Sequence, residues 1–383
     1  MARFLKLDTG VISGFDAALG PDVDTVSTAP VSMLVRLRRR AGLAATLRIL
    51  ARALFTRNEQ MQVLVAGNVD RKRIRLPAVF ERRLVSSIYG KIKASQARLL
   101  HELLRIELNQ SAALDMIAIV YNGSLFPESV LAAVTTDRPR VFVEAGFFPG
   151  TLQIDPVGLN AANSVPRNPG YYRARPELAE GDLPKLVNNR PSKARFAAID
   201  LDPGYVFVPF QVPSDMQVTV HSPWIRSMEQ FLDAIIAAAD KHSDLRFVIK
   251  EHPSFKRSVI GQRADHPRVI FANGNVTSTL IQNARCVVTL NSTVGIEGLL
   301  AGKQVITLGD ACYNIEGLVR HAPDAEALDA VLSDLDWQPD EPLRRAFLSY
   351  LWTDYLVHGT YKELPDDLGA QIEKIAQTSR EAD

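Results

Sequence analysis

The chain has 383 residues but only two cysteines, Cys286 and Cys312, too few for a disulfide framework. Neither has a second cysteine at CxxC spacing, so thiol-metal and dithiol redox chemistry lack support, and a reducing, cytoplasmic compartment is expected. No apolar run reaches the roughly 18 residues of a membrane span. The start, Met1-Ala2-Arg3-Phe4-Leu5-Lys6, lacks the apolar stretch of a secretory leader. Charge of one sign is also missing. With 44 basic and 43 acidic residues the net charge is +1, so no global field argues for nucleic acid. There is no GxGxxG, no Walker loop, no H-x-E zinc pattern and no GxSxG. Dinucleotide redox chemistry, ATP hydrolysis, zinc-dependent hydrolysis and serine-hydrolase chemistry therefore have no motif to stand on. Neither a metal nor a resident cofactor is expected.

What is present is the balance of a globular protein, 46% hydrophobic and 23% charged, over a length sufficient for two domains. Residues 1–30 are weakly patterned, and Gly20–Pro30 reads as loop. Arginines at 36, 38, 39, 40, 48, 52 and 57 interleave with Leu43, Leu47, Leu50 and Leu54, which recur at helical spacing. The segment 35–57 thus predicts an amphipathic helix with a basic face, either an ordinary solvated surface or a peripheral contact with anionic headgroups of the inner membrane. Val63–Ala66 reads as a short strand and Leu84–Leu108 as one or two long helices. Apolar runs at 116–121 and 140–144 predict strands, separated by a helix around Val130. The stretch 145–169 is rich in glycine and proline and reads as loop. Residues 175–203 are polar and look like a connection. Strands are then expected at 205–210, 247–250, 268–271, 286–290 and 304–308, alternating with helices at 228–240, 277–283 and 294–301, with further helices at 325–335, 341–356 and near 372–375. This alternation predicts parallel sheets with right-handed crossovers. The expected architecture is α/β of the GT-B type, two Rossmann-like domains facing a central cleft. The expected divisions are an acceptor-side domain over 1–200, a nucleotide-sugar domain over 201–340, and C-terminal helices over 341–383 that return toward the N-terminal domain.

Ligands of such sheets gather at the C-terminal ends of the strands. One strand ends in Lys250-Glu251-His252-Pro253. Pro253 stops the strand, and Lys250 and His252 can donate to phosphate oxygens, unless the motif is only a solvated turn. A second ends in Asn291-Ser292-Thr293-Val294-Gly295 at a helix start, where free N–H groups suit phosphate; the two hydroxyls could equally be plain caps. Glu297, a turn further on, can accept from ribose hydroxyls or simply favour the first turn of the helix. Tyr313 follows the next strand and is expected to face the same cleft. On the other domain Glu144 ends a strand and Asp155 follows, two carboxylates suited to glycosyl chemistry as base or nucleophile; Asp155-Pro156 can also be a turn. Asn122-Gly123 lines an acceptor pocket or makes a tight turn, and Gln211 and Asp215 form a polar cluster near the hinge.

These segments together resemble the bacterial capsular polysaccharide biosynthesis proteins, related to retaining β-Kdo transferases. The likeness runs through Lys250–Pro253, Asn291–Gly298, Gly302–Gly309, Tyr313, Phe207–Asp215 and Glu144–Thr151, covering about 115–360. It implies a CMP-Kdo donor as substrate, a saccharide or lipid-linked acceptor, and a phosphate site at His252, Pro253, Ser292 and Thr293 with Lys250 nearby. Some members carry Glu-Asp-Gly where this chain has Glu144-Ala145-Gly146. A UDP- or GDP-sugar transferase, and a non-catalytic polysaccharide-binding or assembly protein, are the alternatives.

Overall fold

Alternation of buried apolar side chains builds two sheets, each covered on both faces. The structure is a computed structural model that describes residues 3–56, 58–109, 115–176, 178–184, 196–254 and 257–378. The chain divides into two compact units. Unit 1 is Met1–Gly146, Gly150–Leu159 and Val357–Asp383; unit 2 is Phe147–Pro149 and Asn160–Leu356.

The first five strands are β1 (Phe4–Asp8), β2 (Val23–Ser27), β3 (Ile117–Tyr121), β4 (Arg140–Ala145) and β5 (Thr151–Asp155). Those of unit 2 are β6 (Tyr205–Pro209), β7 (Phe247–Lys250), β8 (Val269–Phe271), β9 (Ala284–Thr289), β10 (Gln304–Thr307) and β11 (Arg320–His321). The last strand, β12 (Leu356–His358), returns to the first sheet.

The sheet of unit 2 is parallel throughout, in the order β11-β10-β9-β6-β7-β8. Phe207, Val248, Val287 and Val305 enter one core, and Val206, Val208, Ile249, Cys286 and Val288 the other. Burial on both faces explains why these strands read as continuous apolar runs. The sheet of unit 1 runs β12-β5-β4-β3-β1-β2, with β5 antiparallel to β4 and the β1, β2, β3 and β4 pairings parallel. Both units are Rossmann-like, as expected of a GT-B type chain.

Several expectations are corrected. The weakly patterned residues 1–30 hold two strands: β1, which sits between β2 and β3, and β2, which lies within the stretch Gly20–Pro30 expected to be loop. Val63–Ala66 is not a strand but part of the helix Glu59–Arg75, whose first turn is capped by Asn58 accepting from the Met61 N–H. The loop-rich stretch after Glu144 contains β5. Part of the polar connection, 185–195, lies outside the described residues. The units do not divide at residue 200. Val165, Tyr172 and Leu183 already belong to the core of unit 2, so Asn160 onward packs there. Of the C-terminal segment, the helix Glu341–Tyr350 stays in unit 2, where the Arg344 guanidinium donates to the Leu299 carbonyl at 2.7 Å. The helix Leu368–Thr378 does return to unit 1, burying Leu368 and Ile372 beside Phe4.

Candidate functional site

From β6 the chain of unit 2 winds outward through β7 and β8, then crosses back to β9 on the other side of β6. Crossovers that diverge in this way leave a crevice at the C-terminal ends of the two inner strands, the switch point where nucleotides bind in doubly wound sheets. Here the loops after β6 and β9 are latched. Gln211 Nε2 donates to Asn291 Oδ1 at 2.9 Å, and both side chains are buried. Asn291 Nδ2 donates to the Gln217 and His221 carbonyls at 2.8 and 3.0 Å. Asp215 caps the helix Met216–Thr219 by accepting from the Gln217 N–H at 3.0 Å. Asn291, Gln211 and Asp215 were expected to meet ligand or acceptor. They instead hold the crevice in shape, because their polar atoms go to one another and to backbone.

Ser292 and Thr293 are half-buried between this latch and the helix Val294–Leu300. Ser292 Oγ accepts from the Val294 N–H at 3.2 Å, and the Ser292 carbonyl accepts from the Gly295 N–H at 2.9 Å and from Tyr313 Oη at 2.5 Å. Tyr313 is 2% exposed and does not face a cleft; its hydroxyl props the Ser292-Thr293 turn. Burial drives its phenol well above the ordinary value, so it remains a neutral donor. A Cβ on Gly295 would lie 2.4 Å from that hydroxyl, which is why glycine follows the Ser-Thr pair. Glu297 is 1% exposed, within the body of the unit rather than at its surface.

The loop after β7 is anchored by a residue that motif reading passed over. Glu251 is buried, and its carboxylate accepts from the Val259 N–H and Asn273 Nδ2, each at 2.8 Å, and from the Ser258 hydroxyl. Its own N–H donates to Asn273 Oδ1 at 2.8 Å. Lys250 is 4% exposed, and its ammonium donates to the Asn275 carbonyl, which assigns it to the loop frame. His252 is half-buried. Its Nδ1 lies 2.8 Å from the Ser254 hydroxyl and accepts from the Ser254 N–H at 3.3 Å, contacts that orient the ring. Pro253 then turns the chain. Because β7 and β9 flank β6, the His252 loop and the Ser292-Thr293 turn leave the same C-terminal edge of the sheet, one on each side of the loop after β6.

Unit 1 has its own switch point between β1 and β3, where the order β2-β1-β3-β4 reverses. Asn122 and Gly123 follow β3 with φ of 60° and 76°, a left-handed pair that fits an Asn-Gly turn. Asn122 Nδ2 donates to Glu144 Oε2 at 3.1 Å. The Tyr121 and Tyr361 rings meet edge-on, 6.0 Å between centroids, and both phenols are raised by burial, with Glu144 contributing to each. Asp155 is not part of this group. The antiparallel register sets it opposite Phe142 while Gln153 faces Glu144, and β5 runs away from that end. It is fully buried, with Oδ1 accepting from the Val157 and Gly158 N–H groups at 2.8 and 3.0 Å. The Asp-Pro turn therefore accounts for it. Glu128, which no motif indicated, bridges the switch point. Its carboxyl oxygens receive the Thr9 hydroxyl at 3.2 Å and the Tyr121 N–H at 3.1 Å. Burial pushes its pKa up to about 8 despite those hydrogen bonds and the Lys6 charge. Neither Glu128 nor Tyr361 stands next to a strand end in sequence, so only the fold brings them there.

A parallel sheet with such a switch point puts unit 2 in the class of doubly wound, Rossmann-like α/β folds. The chain itself belongs to the capsule polysaccharide biosynthesis protein family, whose sequence model matches residues 188–361. It is 53% identical to Protein FixF of Sinorhizobium fredii over 369 residues, 96% of this chain and 92% of that protein. It is 28% identical to the capsule polysaccharide export protein KpsS of Escherichia coli over 297 residues, 58% of this chain and 72% of that one. Among solved structures, Thermosulfurimonas dismutans KpsC, beta Kdo 2,4 transferase, aligns over 67% of this chain and 86% of its own at 19% identity and a TM-score of 0.43. That similarity is too remote to transfer the role of any residue.

Proposed function

We propose that this chain is a glycosyltransferase of capsule or other surface-polysaccharide biosynthesis, transferring Kdo or a related sugar from a CMP-activated donor to a saccharide or lipid-linked acceptor. One observation supports the reading: the loops after β7 and β9, which carry His252 and Ser292-Thr293, leave the same edge of the parallel sheet of unit 2 on either side of the β6 loop, and the β6 and β9 loops are braced by the Gln211–Asn291 pair. Family membership supports the polysaccharide context. In this reading His252 Nε2 and the two hydroxyls stabilise charge on the departing CMP phosphate, donors already in position before the bond breaks. Lys250, Glu251 and Tyr313 hold the two loops. Unit 1 receives the acceptor, and Glu144 acts as base or nucleophile, oriented by Asn122. A cytoplasmic position accords with a nucleotide-activated donor.

Thermal unfolding against CMP, UMP, UDP and GDP tests the donor, since a ligand of the folded state raises stability by RT ln(1 + [L]/Kd). CMP should give the largest shift, and His252→Ala should reduce it. Glu144→Ala should keep the CMP shift and lose transfer; full transfer by that variant would remove Glu144 from the chemistry. A larger response to UDP or GDP points to the other donors. A second reading, saccharide binding without transfer, draws on Ala145, where some family members carry aspartate. Silence to every nucleotide favours it.

A further inference from the structure

The segment 30–108 holds 17 lysines and arginines against five acidic residues, a net charge of +12, while the rest of the chain carries −11. In the fold this segment is helical: Pro30–Phe55, Glu59–Arg75, Pro77–Phe80 and Arg83–Leu108. The first and second of these both pack against the last. Its apolar side chains divide between two sides. Met33, Leu37, Met61, Val65, Leu100 and Leu104 are buried in the core of unit 1. Yet twelve of the nineteen exposed large apolar side chains among the described residues lie between Val31 and Ile92.

Three leucines of the stripe read over 43–54 are among them. The helix Pro30–Phe55 is interrupted at Gly42, with φ 83°, and beyond that break Thr46 and Ala53 turn inward. Leu43, Leu47 and Leu54 turn to solvent beside the exposed Arg48 and Arg52, and Phe55 is 86% exposed. Leu84, Ile88 and Ile92 form a second outward stripe at four-residue spacing, next to the exposed Lys91. A groove of about 660 Å³ opens where the three long helices meet, with Phe55, Met61, Val65 and Ala94 in its walls and Lys91 and Arg98 among its cations. Exposed apolar surface of this extent marks an interaction face.

We infer that this helical face docks on an anionic phospholipid surface. Charge selects the occupant. A second copy presenting the same face would bring +12 against +12, which repels, and its −11 remainder carries only seven of the nineteen exposed large apolar side chains among the described residues, too few to cover these stripes. Duplex nucleic acid would match the charge, but its phosphate backbone is met by cations and polar groups and offers no apolar partner to the outward leucines, isoleucines and Phe55. Interleaved aliphatic and basic side chains on helices lying in one layer are what the headgroup–acyl boundary accepts. No helix among the described residues is long and apolar enough to cross a membrane, so the contact is peripheral. This inference is independent of the donor chemistry proposed above.

Co-flotation with phosphatidylcholine vesicles, with and without phosphatidylglycerol, tests it. The full chain should float with the anionic vesicles and only weakly with the neutral ones. Arg48→Gln with Arg52→Gln should lower anionic partitioning about tenfold or more, since each surface cation contributes roughly fivefold. Phe55→Ser should lower it about tenfold through lost apolar burial. All these side chains are exposed, so both variants should keep the parent unfolding temperature and the parent response to CMP. Equal partitioning onto both vesicle types, or no loss in either variant, overturns the inference. So does binding to duplex DNA or RNA as tight as to anionic vesicles, or a self-association that Phe55→Ser abolishes without any vesicle capture.

Discussion

The two units use the same kind of sheet for different ends. In unit 2 several polar side chains near the strand ends brace the loops: Gln211 on Asn291, Glu251 on Asn273 and Val259, Tyr313 on Ser292. The loops so braced carry His252 and the Ser292-Thr293 turn. In unit 1 a long helical layer covers one face of the sheet and keeps a second apolar side outward. A rigid frame suits recognition of a fixed phosphate, because donors that need no reorganisation act most strongly on developing charge. An outward apolar and basic layer adds little to folding and must be explained by a partner.

The sharpest break of unit 2 is at Gly295. A side chain there meets the Tyr313 ring at 2.4 to 2.8 Å, and that ring is buried with its hydroxyl committed. Gly295→Val should cost about 4 kcal/mol or more through overpacking and loss of the Tyr313–Ser292 bond. Calorimetry would show it as a large fall in unfolding temperature, with the nucleotide response lost. Asn291→Leu comes next. It strands Gln211 Nε2 and the Gln217 and His221 carbonyls in a buried setting, an expected loss of about 2–4 kcal/mol. If Asn291→Leu were as stable as the parent, the switch-point latch would not be the frame described.

Unit 1 can be tested through Glu128. Its carboxyl titrates near 8 in the fold and near 4.5 when unfolded. Between those values the folded chain holds a proton that the unfolded chain has released, so stability is full below about pH 4.5 and declines as pH rises toward 8, by up to about 1.4 kcal/mol per unit. Glu128→Gln, a neutral isostere, should flatten that decline and raise stability at pH 8. Denaturant unfolding of both proteins at a series of pH values would show it; parallel curves would mean that the buried carboxyl is ionised in the fold.

How much was legible follows the same division. β6, β7, β9 and β10 are covered on both faces, so their apolar runs read directly, and the polar residues at their ends marked the site. β1 was missed because Lys6, 1% exposed and paired with Asp16 at 2.9 Å, breaks its apolar run. β2 was missed because Val23-Asp24-Thr25-Val26-Ser27 is a half-buried edge. Within the site, residue type was readable but assignment was not. Nothing in Lys250, Asn291 or Tyr313 alone says that its polar atom meets backbone or a neighbour rather than ligand. Glu144 and Asp155 were both read as candidate carboxylates, with an Asp-Pro turn as the alternative for Asp155, and the antiparallel β5 separates them. The leucines of 43–54 showed helical spacing, but spacing cannot say which side of a helix is covered.

That last point supplies the smallest expected effect and the finest test of the contrast. Leu47 and Leu54 share helical spacing with residues that are buried, yet both are more than half exposed. Leu47→Ser with Leu54→Ser should therefore change stability by no more than about 0.5 kcal/mol each, the range of surface substitutions. Leu37→Ala on the same helix, with Leu37 fully buried, should cost about 2–5 kcal/mol. Chemical denaturation of the three variants side by side would measure the difference. A large loss in the serine pair would mean that those leucines are covered by protein in solution, and the outward layer of unit 1 would then be part of its core. A negligible loss leaves their apolar surface unaccounted for by folding, which is the condition under which an external lipid surface becomes the reason for its presence.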